Sequence, residues 1–181
     1  MNKTFKNIQY TKVGTGPHLC FLHGFCENKS IWDFVISHLQ SEYTCIAIDL
    51  PGFGQNTNYS LDSIPDVANC LNEMLCAENA QNTILLGHSM GGYILAEYLA
   101  SYGNELLGAA FIHSSAKSDS QAKKANRDKS IEFISTHGPE EFFKLFVPSL
   151  VASSNLAQNF TQLDTMARST KTGSILDGLK A

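Results

Sequence analysis

Six consecutive residues, Gly87-His88-Ser89-Met90-Gly91-Gly92, hold the serine of this chain best placed to act as a nucleophile. A serine hydroxyl attacks a carbonyl only if it stands clear of its neighbours and the negative oxygen it creates is stabilised. A sharp turn between a strand and a helix supplies both conditions. It pushes Ser89 into a strained, exposed conformation, and it aims the free N–H groups and positive dipole end of the helix at the turn. The N–H of Met90 is the nearest of these donors. Gly87 and Gly91 flank the apex because strand and helix approach too closely there for side chains. The plain alternative is a glycine-rich turn with a bystander serine.

The elements needed to position Ser89 are legible on both sides. Asn82 to Leu86 opens as an apolar run too short for a buried helix, which predicts a buried strand. Past the turn, Ile94, Leu95, Tyr98, Leu99 and Tyr102 fall on one helix face. That context is what gives a G-x-S-x-G match its weight.

Upstream, Phe5 to Lys12 reads as an edge strand, and Gly14-Thr15-Gly16-Pro17 as a turn. His18 to His23 is a buried strand followed by the loop His23-Gly24-Phe25-Cys26-Glu27-Asn28. Ser30-Ile31-Trp32-Asp33 resembles a capping box and opens a helix to Leu39, with Ile31, Phe34, Val35 and Leu39 on one side. Tyr43 to Ile48 is the next buried strand, ending in Asp49-Leu50-Pro51-Gly52-Phe53-Gly54. Ser60 or Asp62 caps the following helix, Pro65 fits only its first turn, and Val67, Leu71, Met74 and Leu75 form its apolar face. Leu106 to His113 is a further buried strand.

Apolar strands alternating with amphipathic helices predict an α/β fold: a mostly parallel sheet with helices on both faces. The alternation stops at Ser114. Lys117 to His137, Pro139 to Phe146, a segment marked by Leu156, Phe160, Leu163, Met166 and Ala167, and a last one capped by Ser174 read as four successive helices. The expected division is residues 1–116 as sheet core and 117–181 as a helical cap. The basic patch around Lys123, Lys124 and Arg127 reads as a solvated helix face.

The chain has 181 residues, 43% hydrophobic, enough for one domain with a real core. A net charge of −4 without a basic stripe argues against nucleic acid as a partner. No apolar run approaches the roughly 18 residues of a membrane span, and Met1 to Asn7 lacks the apolar stretch of a signal peptide. The five cysteines, Cys20, Cys26, Cys45, Cys70 and Cys76, are odd in number and form no C-x-x-C pair. They read as small buried hydrophobes rather than metal ligands, and a chain without a disulfide framework is expected in the cytoplasm.

Three motifs in order, His23-Gly24-Phe25, Asp49-Leu50-Pro51-Gly52-Phe53-Gly54 and the Ser89 hexapeptide, make the chain resemble an α/β-hydrolase-fold serine hydrolase of the esterase and lipase type. The resemblance implies Ser89 as nucleophile and an oxyanion hole from the backbone N–H groups of Met90 and Phe25. It implies no cofactor and no metal, and a small ester-like substrate selected beneath a cap with a phenylalanine cluster. In relatives of this pattern the first-strand histidine, here His23, shapes the oxyanion loop, while His88 sits inside the turn and Asp49 anchors a loop.

In that fold the triad runs Ser, then Asp or Glu, then His. After Ser89 only His113 and His137 remain, and neither stands where the family places its base. The acid and base are therefore expected beyond Ala181, in two or three further strand–helix units of roughly 30 residues each, with the piece as written close to inactive. Two other functions fit the same residues. One is a binding module that kept the turn and lost the triad. The other is a different reaction on the scaffold, such as carbon–carbon hydrolysis, lyase chemistry or cofactor-free haloperoxidation. An epoxide or haloalkane hydrolase would carry Asp at position 89.

Overall fold

The computed structural model describes residues 1–6, 8–60, 63–151 and 156–181. Six strands form one sheet: β1 (Asn2–Phe5), β2 (Ile8–Val13), β3 (His18–Leu22), β4 (Thr44–Ile48), β5 (Thr83–His88) and β6 (Leu106–Ile112), in spatial order β1-β2-β4-β3-β5-β6. The four strands β4, β3, β5 and β6 run parallel, and the β1–β2 hairpin joins them antiparallel through β2. Helices α1 (Asp33–Leu39), α2 (Ile64–Ala77) and α3 (Met90–Tyr102) connect the parallel strands. Four helices follow β6 without a strand between them: α4 (Gln121–His137), α5 (Pro139–Ser149), α6 (Leu156–Arg168) and α7 (Thr172–Lys180).

The central strands are buried on both faces, so they are continuously apolar. Alternation sends Cys20 and Leu22 of β3 toward one side and Leu19 and Phe21 toward the other. On the first side they join Leu71, Met74 and Leu75 of α2 and Ile94, Leu95 and Tyr98 of α3. On the second they pack against Trp32 and Ile36. Every cysteine is free; Cys20, Cys26 and Cys45 are buried as expected, whereas Cys70 is half-buried and Cys76, at the end of α2, is exposed; burial pushes the Cys20 thiol up to about 12. Among the described residues no helix is long and apolar enough to cross a membrane.

Several local expectations are corrected. Phe5 to Lys12 is two strands, because the chain reverses between Phe5 and Ile8, where Lys6 takes φ 49°. Tight hairpins want such a positive φ to match the strand twist; Asn7 lies outside the described residues. The first helix is capped by Asn28, whose side chain accepts from the Ser30 N–H, and it opens with a 3₁₀ turn over Lys29–Trp32. That turn has 3.0 residues per turn instead of 3.6. The phase shifts, Ile36 is buried, and Phe34 is 76% exposed. Ser63 caps α2 by accepting from the Asp66 N–H, with Pro65 in the first turn; Asp62 lies outside the described residues, as does the Leu156 side chain. Strand β6 is a sheet edge rather than a buried strand, and Leu107 there is 65% exposed. Helix α4 starts at Gln121 under a Ser120 cap, α5 runs on to Ser149, and Ser174 is buried inside α7, which Lys171 precedes.

One ionic knot fastens the hairpin to the core. Lys3, Lys12 and Tyr10 all donate to the carboxylate of Glu78 at the end of α2, over 2.6–2.9 Å. Burial raises the Glu78 pKa, but the donors from Lys12, Tyr10 and Lys3 outweigh it and bring the value from 4.5 down to about 2. A depressed carboxylate contributes stability above its unfolded pKa and loses it as pH falls through the folded one. Urea midpoints should therefore drop between pH 4.5 and about 2. In Glu78→Gln that part of the drop should vanish, and parallel wild-type and variant profiles would contradict the assignment.

Candidate active site

Register fixes where the site lies. Leu22 pairs with Ile48 on one side and with Gly87 on the other, and His88 pairs with Ile112. The residues that follow, His23, Asp49, Ser89 and His113, therefore line up along the C-terminal edge of the parallel strands. Strand order also reverses at β3, whose successors β4 and β5 lie on opposite sides of it. Ligands of open α/β sheets bind at such a switch point.

Ser89 occupies the single residue between β5 and α3, with φ 49° and ψ −114°. For a non-glycine residue this region costs about 1–3 kcal/mol and persists only where the surroundings enforce it. Here the Ser89 N–H donates to the Ile112 carbonyl over 3.0 Å, and Ser114 Oγ and the Gly92 N–H donate to the Ser89 carbonyl over 2.7 and 2.9 Å. The hydroxyl itself has no hydrogen-bond partner among the described residues. A Cβ on Gly87 would come within 2.5 Å of the Gly91 carbonyl, and one on Gly91 within 2.7 Å of the Leu22 carbonyl. Backbone crosses backbone at this bend, and neither position has room for a side chain. Met90 begins α3, whose first N–H groups lack intrahelical acceptors.

His23 is fully buried. Its Nε2 accepts from the Leu50 N–H over 2.9 Å, which places the ring proton on Nδ1, and Nδ1 donates to the Gly24 carbonyl over 2.8 Å. Burial lowers its pKa, so the ring is neutral. A trans peptide directs its C=O and N–H oppositely. By holding the Gly24 carbonyl, His23 turns the Phe25 N–H the other way. Both ring nitrogens are engaged, and His23 is not free to deprotonate Ser89.

Asp49 is 1% exposed. It accepts from the Lys29 N–H over 2.8 Å and the Gln55 N–H over 3.1 Å, and it pairs with the Lys29 ammonium. Gly54 packs on it so closely that a Cβ would lie 2.4 Å from its Oδ1. All of its partners belong to its own loop and the neighbouring one. His88 turns its Nδ1 to Glu27 Oε2 over 2.9 Å, and the same oxygen accepts from the Gly24 N–H over 2.6 Å. The hydrogen bond to Glu27 raises the His88 pKa against the opposing pull of burial.

Ser89 opens into a cavity of about 740 Å³ walled by Phe25, Trp32, Ile112, Phe146, Leu150 and Leu163, with His88, His113 and Arg127 as its polar points. Phe142 and Phe146 stack 5.1 Å apart, and Phe146 meets Phe25 edge-on at 5.6 Å. His113 is at the exposed lip, its ring 6.2 Å from that of His88. His137 packs on Phe133 at the end of α4, away from the cavity lining. Arg127 departs from the expected solvated face: it turns inward, 5.5 Å over the Tyr93 ring, and pairs with Asp119 at 2.6 Å, while Tyr93 donates to the other Asp119 oxygen over 3.2 Å. Glu27, Arg127 and Trp32 carry roles at the site that the linear sequence did not single out. The only advance sign of Glu27 is that it is the one acid in the loop His23-Gly24-Phe25-Cys26-Glu27-Asn28, three residues past Gly24.

Residues 17–164 match the alpha/beta hydrolase fold family. A 2-succinyl-6-hydroxy-2,4-cyclohexadiene-1-carboxylate synthase of Yersinia pseudotuberculosis is 38% identical over 88 residues, 49% of this chain and 32% of that one. A pimeloyl-[acyl-carrier protein] methyl ester esterase of Pseudoalteromonas atlantica is 34% identical over 94 residues, 49% of this chain and 33% of the relative. The matched stretch thus spans about a third of the length of these curated relatives. Among solved structures, a bromoperoxidase from Bacillus anthracis superposes with a TM-score of 0.86 at 21% identity, over 100% of this chain and 73% of its own. The esterase EaEST from Exiguobacterium antarcticum gives 0.81 at 20%, over 96% and 68%. At these identities the two structures speak for the fold.

Proposed function

The chain belongs to the alpha/beta hydrolase fold family, and from that premise we propose that it serves a serine hydrolase cleaving a small carboxylic ester or related acyl bond. Ser89 Oγ gives its proton to a histidine base and attacks the carbonyl carbon. The oxyanion is held by the N–H groups of Met90 and Phe25, the alcohol leaves, and water releases the acid from the acyl-enzyme. No cofactor enters these steps. The first 116 residues act as the core and 117–181 as a cap, whose Phe146, Leu150 and Leu163 give the cavity its apolar wall. Neither His113 nor His137 hydrogen-bonds the Ser89 hydroxyl among the described residues, and the base and its acid are taken to follow Ser89 in the family's chain order, acid before base.

The observation that carries the proposal is the strained backbone of Ser89, with an unengaged hydroxyl at the mouth of an apolar cavity. Strain maintained by three hydrogen bonds is the mark of a position kept for function. The complete gene product should hydrolyse p-nitrophenyl acetate or butyrate with an initial burst of about one equivalent of p-nitrophenol, the kinetic sign of an acyl-enzyme. Tight binding of short esters without release of the alcohol would favour the binding-module reading instead.

A lyase on the same scaffold is the second reading. It is favoured by the relative named as a cyclohexadiene-carboxylate synthase and by the Arg127 guanidinium at the cavity wall, suited to a substrate carboxylate. Turnover of a carboxylate-bearing substrate by elimination, with simple esters untouched, would decide for it.

A further inference from the structure

We propose that Glu27 is a positioning residue that clamps the two amide-bearing segments of the site together through one carboxylate oxygen shared between Gly24 and His88. The inference rests on the serine-hydrolase reading and names the part that sets its geometry. The two proposed oxyanion donors come from segments more than sixty residues apart: Phe25 follows Gly24, and Met90 follows His88 and Ser89. Sheet pairing fixes the strand ends but not the loops beyond them. Glu27 Oε2 reaches both, 2.6 Å from the Gly24 nitrogen and 2.9 Å from His88 Nδ1. Contact there is close enough that a Cβ on Gly24 would lie 2.8 Å from Glu27 Oε2, 3.0 Å from His88 Nδ1 and 3.1 Å from Ser89 Cβ. No water fits between them. The His88 ring meets Trp32 edge-on at 6.4 Å and His113 at 6.2 Å, with Nδ1 turned to Glu27.

The Gly24 peptides are thus held in two directions. His23 fixes the carbonyl, and with it the direction of the Phe25 N–H; Glu27 fixes the N–H on the other side of the same residue. Charge gives the clamp a second consequence. Glu27 is 7% exposed, and a lone buried carboxylate beside a forming oxyanion would oppose it. A protonated His88 cancels that charge. The other charged or titratable groups near His88 are His113 at the lip, Arg127 across the cavity and His23 behind the loop; Lys29 and Asp49 lie beyond, paired with each other.

The test uses the complete protein with p-nitrophenyl butyrate, a fluorophosphonate titration to count folded sites, and nuclear magnetic resonance titration of the His88 ring. Per titrated site, Glu27→Ala should lower kcat by about 10²–10³-fold, the scale of one lost oxyanion donor, with KM within about twofold. Glu27→Gln keeps an acceptor but not the charge, and should recover part of kcat. In that variant the His88 titration should move down from its raised wild-type position, and the high-pH limb of kcat that follows it in the wild type should disappear, because no carboxylate charge is left for His88 to cancel. Unchanged kcat per site in Glu27→Ala, or a His88 titration unmoved in Glu27→Gln, would overturn the clamp. Loss of thermal stability alone, with kcat and titration intact, would do the same. A wild-type protein without turnover whose His88 titration still responds to Glu27→Gln would overturn the hydrolase reading while leaving the Glu27–His88 contact standing.

Discussion

Ser89→Ala is expected to lower ester turnover by the complete protein about a million-fold, the scale found when a serine protease loses its nucleophile. What survives is binding and the oxyanion donors, worth about 10³–10⁴ over water in such enzymes. The fold should hardly notice. The hydroxyl makes no hydrogen bond among the described residues, and the three bonds that enforce φ 49° use the Ser89 backbone alone. Alanine adopts that φ no more comfortably than serine, so the strain is unchanged. Thermal midpoints within a few degrees of wild type, alongside abolished turnover and abolished fluorophosphonate labelling, are the expected pair. Turnover surviving within tenfold would remove Ser89 from the reaction.

Asp49→Ala should produce the largest loss of stability from a single side chain near the site, about 3–5 kcal/mol, the range for breaking a buried ion pair from one side. The carboxylate is almost wholly buried and is the acceptor for two backbone N–H groups and the Lys29 ammonium. Its removal takes the acceptor from the Lys29 and Gln55 N–H groups, while the Lys29 ammonium keeps only Gln55 Oε1 among the described residues, at 3.1 Å. Lys29 is partly exposed and can swing outward, which sets the loss at the lower end of that range. Urea unfolding at pH 7 measures it. If Asp49 were instead the acid of the triad, the same substitution would abolish kcat with little change in the unfolding midpoint.

How far the fold could be read from the residues depended on whether the deciding contact was local. Strands β3, β4 and β5 were visible because burial on both faces leaves an unbroken apolar run, and α2 because Val67, Leu71, Met74 and Leu75 recur at helical spacing above a core. Phe34 was misplaced because the 3₁₀ turn ahead of α1 changes the residues per turn, which periodicity at 3.6 cannot register. The first hairpin was hidden by Lys6, a residue type that does not advertise a positive φ. Strand β6 carries buried-strand composition yet stands at the sheet edge, since neighbour order is a property of the whole sheet.

At the site, the turn around Ser89 was legible because glycine spacing encodes a close crossing of backbone. Glu27 was not, since its partner His88 lies 61 residues away. Arg127 was assigned to solvent because its neighbours on α4 are lysines. What turns it inward is Asp119 together with the ring of Tyr93, on two different segments.

The central claim concerns one oxygen atom. The complete protein should be incubated with a fluorophosphonate, digested, and the adduct located by tandem mass spectrometry. A single adduct, on the Ser89 hydroxyl of the peptide containing Gly87-His88-Ser89-Met90-Gly91, is the predicted result. A protein that folds, binds short esters and yet carries no adduct at Ser89, or carries it on another residue, would contradict it.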